Sequence, residues 1–198
     1  MANKVNFIQV EQAVRRHGLR LFSPLELRRV LDTSAVAARF LVHRYAKRGV
    51  FLKLRNGLYC LSDQPPSELA IANRLYEPSY LSFEFALSYH HLIPEAAYVM
   101  TSATSRPTRT LTAAGKTFEY HRLKKSAFTG YDPVKVGTET ILIATPEKAV
   151  VDTLYFVDLK KKTLNDRLDL RNLNRKRIGS YVQLFKRPSL RKLVRSLQ

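Results

Sequence analysis

Residues 23–59 read SPLELRRVLDTSAVAARFLVHRYAKRGVFLKLRNGLY, and this stretch decides the fold of the N-terminal part. Ser23-Pro24-Leu25-Glu26 is a capping box with proline at the first helical position, in which Ser23 and Glu26 satisfy backbone N–H groups that a helix start leaves orphaned. The helix beginning there carries Leu27, Val30 and Leu31 at the three-and-four spacing of a buried stripe, with Arg28 and Arg29 on the outer side. Asp32-Thr33-Ser34 breaks the pattern and supplies caps for a second helix, from Ala35 to about Arg48, which Gly49 ends in the left-handed C-terminal position. A short turn between two helices is the joint of a helix-turn-helix.

In the second helix, Ala37, Phe40, Leu41 and Tyr45 recur at helical spacing and are expected to pack inward. The side expected to face outward carries Ala35, Ala38, Arg39, Val42, His43 and Ala46, small residues around one arginine and one histidine. Such a surface allows close approach to base edges in a major groove, with Arg39 as the first choice for a base contact and His43 as a second polar group. Arg44, Lys47 and Arg48 lie nearer the margins, where cations neutralise phosphates and set register. After Gly49, Val50 to Leu54 and Leu58 to Leu61 flank Arg55-Asn56-Gly57, and Asn-Gly is a strong hairpin signal because both residues tolerate positive φ. The hairpin is the expected wing, with Lys53, Arg55 and Asn56 at or near its tip.

Charge is distributed in the same sense. The chain has 198 residues and a formal net charge of +18. Residues 1–62 hold 12 basic and 3 acidic side chains, residues 63–150 hold 9 of each, and residues 151–198 hold 13 and 4. Two basic ends bracket a neutral middle, which suggests two electropositive surfaces able to attract a polyanion. No apolar run is long enough to span a membrane, and no charged start followed by an apolar core and cleavage site occurs, so a cytoplasmic location is expected. Cys60 is the only cysteine, which excludes an intramolecular disulfide and a multi-cysteine zinc site; it is expected to pack in the second wing strand.

Asp63-Gln64-Pro65-Pro66-Ser67 is a polar, proline-containing break and the best domain boundary. Beyond it the pattern predicts helices over Ser67 to Leu75 and Phe83 to His90, separated by an interruption at Pro78 to Ser82. Strands are predicted over Tyr98 to Thr101, Thr117 to Leu123 and Thr140 to Ala144. Thr145-Pro146-Glu147 opens a helix to about Leu159 with Ala149, Val150, Thr153, Leu154 and Val157 facing inward. One or two basic amphipathic helices follow. The expected fold is therefore α+β: an N-terminal winged helix-turn-helix, residues 1–62, and a mixed α/β C-terminal domain, residues 63–198, ending in basic helices.

The order of motifs resembles AbiEi-type antitoxins, transcriptional regulators of type IV toxin-antitoxin systems. The likeness is carried by Ser23 to Leu27, Arg48-Gly49, Arg55 to Tyr59, the segment Leu81 to Pro94 with its Ser82-x-x-x-Ala86-Leu87-x-x-His90-x-Leu92 signature, and Ala144-Thr145-Pro146-Glu147-Lys148-Ala149-Val150-Val151-Asp152. The chain departs from the pattern at Tyr89 and the His90-His91 pair, near a position often held by glycine. The resemblance implies a two-domain regulator whose N-terminal domain binds repeats in its own promoter and whose C-terminal domain counters a toxin of nucleotidyltransferase type. Carried over by position, it implies DNA contact by Thr33 to Arg48, Thr33 and Ser34 included, and by Lys53 to Asn56. Steric repression of transcription is the expected mechanism, with binding energy drawn largely from phosphate contacts and sequence preference from the second helix.

Other readings are weaker. Asp132, Glu139, Glu147 and Lys148 invite a metal-dependent nuclease, but no carboxylate-x-lysine arrangement lies on one strand, Glu147 suits a first helical turn, and Lys148 is expected on a helix surface. His90-His91 cannot bind one metal from one helical face, and His90 is expected to be a packed helix-end residue. No phosphate loop, nucleophile elbow or His-Glu-x-x-His helix occurs, and no cofactor or metal is expected. A protein-binding module that neutralises an acidic partner without specific DNA recognition is a third class. Lys160-Lys161-Lys162 and Arg175-Lys176-Arg177 are secondary basic candidates, expected at helix ends.

Overall fold

The computed structural model describes residues 7–197. Its contacts divide the chain into two compact units, Met1–Ser67 and Glu68–Gln198. The protein is α+β, with eight α-helices and strands in two sheets among the described residues. No helix among them is long and apolar enough to cross a membrane.

The first unit opens with α1 (Phe7–Arg16), which the sequence reading did not anticipate. α2 (Pro24–Val30) starts on the expected capping box: the Ser23 N–H donates to Glu26 Oε2 at 2.6 Å, and the Glu26 N–H donates to Ser23 Oγ at 3.2 Å. α3 (Ala35–Lys47) is capped by Ser34, whose Oγ accepts the Ala37 N–H at 3.1 Å. Gly49, at φ +74°, then reverses the chain. β1 (Phe51–Arg55) and β2 (Leu58–Leu61) form the antiparallel hairpin. Its turn differs from the expected form, because of the central pair only Gly57 has positive φ (+78°) and the register shifts between Lys53 and Arg55.

One core joins these pieces. Val10 and Val14 from α1, Phe22, Leu27 from α2, Leu41, Val42 and Tyr45 from α3, and Phe51 and Leu61 from the hairpin form one buried cluster. The hairpin is fastened by edge-on ring contacts, Phe51 lying 5.0 Å from Phe22 and 5.6 Å from Tyr45. Cys60 is buried in β2 as expected, and burial pushes its thiol up to about 11. That shift removes thiolate character near neutral pH.

The second unit is built on a six-stranded mixed sheet. Its strands are β3 (Ser79–Leu81), β4 (Met100–Thr104), β5 (Arg109–Ala113), β6 (Lys116–Arg122), β7 (Tyr131–Val136) and β8 (Glu139–Ala144), in the order β5-β6-β4-β3-β8-β7. Pairs β4/β6 and β3/β8 are parallel and the others antiparallel. Three strands escaped the sequence reading for separate reasons. All of β3 is buried, so it shows no alternation; β5 is largely exposed and polar; β7 contains Pro133, which an edge strand tolerates. β4 starts at Met100, and Tyr98 lies outside it, exposed.

Five helices complete this unit: α4 (Glu68–Leu75), α5 (Phe83–Tyr89), α6 (Pro146–Asp158), α7 (Arg175–Leu184) and α8 (Pro188–Ser196). α4 is tied to the sheet by Tyr120, whose hydroxyl donates to the Ala72 carbonyl at 2.7 Å. α6 is buried on nearly every side, from Glu147 to Phe156, where a single inward stripe was expected. It packs against α5, α7 and α8.

His121 on β6 makes this unit sensitive to acid. Its ring lies 4.9 Å from Phe83 and 5.3 Å from Phe156, and burial, aided by the Lys162 charge and opposed by Glu119 and Glu84, lowers its pKa below the usual 6.5. As pH falls through the unfolded value, the unfolded chain takes up a proton that the folded chain refuses, so stability is lost on acidification. Thermal melts are expected to show a lower Tm at pH 5.5 than at pH 7.5, near the ordinary histidine pKa. His121→Phe should flatten that difference; an unchanged pH profile in the variant would refute the assignment.

Candidate nucleic-acid interface

The exposed side of α3 is turned relative to the sequence expectation. Ala38 and Val42, expected outward, are fully buried with Leu41 and Tyr45, whereas Phe40, expected inward, is 62 % exposed and Ala37 is half-buried. Leu41 and Tyr45 belong to either packing line, so the helix pattern alone leaves its rotation open. The decision falls to neighbours. Val42 joins a cluster that includes Val10 and Val14 of α1, an element absent from the sequence reading.

At about 100° per residue, Val36, Phe40, His43 and Lys47 fall within roughly 60° of one another and form the centre of the outer face. Val36 is 76 % exposed, and His43 and Lys47 are exposed as well. Arg39 and Arg44 lie on opposite flanks. Arg39 is exposed, but Arg44 is half-buried, with its guanidinium 5.8 Å from the Phe40 ring and 5.1 Å from the Tyr45 ring, and it donates to the Tyr45 hydroxyl at 3.2 Å. Ser34 and Ala35 are exposed at the N-terminal end, Thr33 is half-buried beside them, and Arg48 is exposed just past the C-terminal end.

Lys53, Arg55 and Asn56 are exposed on the hairpin as expected, and Arg55 Nη1 donates to the Asn56 carbonyl at 2.9 Å. α3 contains no acidic residue. Elsewhere in this unit Glu26 is engaged in the cap, Glu11 and Asp63 both pair with Arg15, and Asp32 is exposed in the turn before α3. The centre of the face is therefore apolar at its N-terminal end, Val36 and Phe40, and passes into His43 and Lys47, with exposed Arg39 on one flank and Arg48 past its end.

The secondary basic candidates belong to the second unit and are not equivalent. Lys160 and Lys161 are exposed after α6, but Lys162 is half-buried, donates to both Glu84 carboxylate oxygens at 2.7 and 2.8 Å, and lies 5.5 Å from the Phe83 ring. Arg175, Lys176 and Arg177 occupy the first turn of α7, where Asn174 Oδ1 accepts the Lys176 and Arg177 N–H groups. They therefore do not serve C-terminal carbonyls, the role expected of a run at a helix end. Arg177 also lies 3.8 Å from Glu147.

Lys148 is the clearest correction. Expected on a helix surface, it has no exposed side-chain area and pairs with the equally buried Asp152 one turn later. Asp152 also accepts hydroxyl donation from Tyr80 and Ser82, each at 2.9 Å. Burial pushes Lys148 down and Asp152 up, while their mutual attraction opposes both shifts. Glu147 does fall in the first turn of α6, where its carboxylate accepts the Asn174 N–H at 3.3 Å. Asp132 is exposed on β7 and Glu139 half-buried on β8. Among the described residues, no group of three or more His, Cys, Asp or Glu side chains is placed to hold a metal ion. His90 caps the end of α5 with Nε2 2.8 Å from the Ala144 carbonyl, which fixes that nitrogen as the donor.

No family model matches the chain, and no characterised protein matches it in sequence.

Proposed function

We propose that the N-terminal unit is a winged helix-turn-helix that binds double-stranded DNA, with α3 entering the major groove and the β1/β2 hairpin acting as the wing. The chain represses transcription by occupying repeats in its own promoter. Its C-terminal unit acts as an antitoxin against a nucleotidyltransferase-type toxin, in keeping with the order of motifs shared with AbiEi-type antitoxins. The protein acts by binding, without catalysis. The observation that carries this reading is α3 itself, without an acidic residue and with exposed Arg39 on its flank, Lys47 on its outer line and Arg48 past its end, next to a basic hairpin. Such a face suits a polyanion groove, where cations position the helix on phosphates and the centre approaches base edges.

The test is a binding titration and footprint of the full chain on its own upstream DNA, against a scrambled duplex of equal length. Tighter, footprinted binding to the upstream DNA supports a sequence-specific regulator; equal, weak binding to both overturns it. Arg39→Ala then separates base reading from phosphate contact. Loss of about 1–3 kcal/mol on the preferred site, with little change on scrambled DNA, is expected of a base reader. Equal loss on both would assign Arg39 to phosphate. Co-expression with a nucleotidyltransferase-like protein encoded beside it tests the antitoxin part, through rescue of growth.

A further inference from the structure

Two large apolar side chains stand on the exposed face of a helix otherwise ringed by cations. Val36 is 76 % exposed and Phe40 is 62 % exposed, although the same unit has a closed core formed from α1, α2, α3 and the hairpin. Isolated exposed apolar residues are ordinary. This pair is not isolated: it occupies successive turns along the centre line of the outer face, with His43 and Lys47 continuing the line and Arg39 and Arg44 at its edges. The Arg44 guanidinium, 5.8 Å from the Phe40 ring and held by the Tyr45 hydroxyl, favours the outward placement of that ring.

We propose that Val36 and Phe40 are specificity determinants that contact the 5-methyl groups of thymines in the major groove. The inference rests on the DNA-binding reading above and deepens it by naming what the apolar centre recognises. In the major groove the thymine methyl is the one apolar feature that base pairs present, and apolar side chains are its natural partners. Cationic margins match this occupant. A polyanion brings phosphates to Lys47 at the C-terminal end of the line and to Arg48 beyond it, while the groove floor meets Val36 and Phe40, so charge complementarity and apolar contact are satisfied by one ligand. Both residues lie in the N-terminal half of α3, the end that reaches base edges in helix-turn-helix docking.

Spacing sharpens the inference. Four residues of helix rise about 6 Å, and stacked bases rise about 3.4 Å. A helix lying along the groove therefore places Val36 and Phe40 over methyls roughly two base-pair steps apart.

The experiment begins with a site selected by the full chain from a random duplex pool, followed by single thymine-to-deoxyuridine replacements, which delete only the methyl. Two replacements about two steps apart are expected to weaken binding about fourfold each, the effect of burying one methyl-sized group. Val36→Ala should abolish sensitivity at one position and Phe40→Ala at the other. Both side chains are exposed and alanine favours helix, so folding is not at risk. Specific binding indifferent to uridine at every position, or uridine sensitivity retained in both variants, overturns the inference while leaving the DNA-binding reading intact. Absence of any selected site overturns that reading itself, and this inference with it. Sedimentation supplies the remaining outcome: a dimer in the wild type that Phe40→Ala dissociates would mean that a second copy covers the stripe, and would overturn methyl contact.

Discussion

Lys148→Met is expected to lower the stability of the C-terminal unit by about 3–5 kcal/mol, the cost of leaving one member of a buried ion pair without its partner. Methionine fills similar space, so little of the loss comes from a cavity. What remains is Asp152, with no exposed side-chain area, holding two hydroxyl donors from Tyr80 and Ser82 but no cation. Burial already raises the Asp152 pKa, and removing the ammonium raises it further. A carboxyl whose folded pKa exceeds its unfolded value destabilises the fold above the unfolded value and is relieved as pH falls. The variant's deficit is therefore expected to be largest near neutral pH and to shrink toward acid. Urea unfolding followed by circular dichroism measures both effects. Lys148→Met/Asp152→Asn should recover most of the loss, since the amide can still accept from the two hydroxyls. A single-variant deficit below about 1 kcal/mol, within the range of an exposed pair, would show that the pair carries little.

The same pair marks a limit of what the sequence discloses. Lys148 and Asp152 are four residues apart, a spacing equally suited to a solvated surface pair. What takes both from water is the packing of α6 against α5, α7 and α8, together with Tyr80 of β3, and those contacts join segments far apart in the chain. Features set by neighbouring residues were legible: the capping box at Ser23, the Ser34 cap, the helix end at Gly49 and the Asn56-Gly57 turn position. Features set at a distance were not. The rotation of α3 depends on α1, and the placement of β3 between β4 and the parallel β8 depends on residues some sixty positions later, its Leu81 pairing with Ile143. The candidate interface follows the same division. Exposed Arg39, His43, Lys47, Arg48 and the hairpin tip were expected, but the central positions of Val36 and Phe40 required the rotation.

Raising monovalent salt from about 50 to about 200 mM is expected to weaken DNA binding about a thousandfold, corresponding to a slope of log K against log salt near −5 for roughly six neutralised phosphates. That number is within reach of the N-terminal unit alone, where Lys47, Arg48, Lys53 and Arg55 are exposed on α3, its end or the hairpin, and Arg28 and Arg29 are exposed on α2. Lys47→Ala and Arg55→Ala should each weaken every sequence alike and flatten the slope by about one. The magnitude of the slope also tests which surfaces take part. A value near −5 in the full chain leaves Lys160, Lys161, Arg175 and Lys176 outside the footprint, whereas about −8 or steeper requires more phosphates and brings the second unit's cations onto the DNA. In that case Arg175→Ala/Lys176→Ala should return the slope toward −5 without altering which sequence is preferred, because phosphate contacts position the protein and base contacts specify the site. A slope no steeper than about −2 would be too shallow for this many phosphate contacts and would remove the electrostatic basis for assigning α3 and the hairpin to DNA.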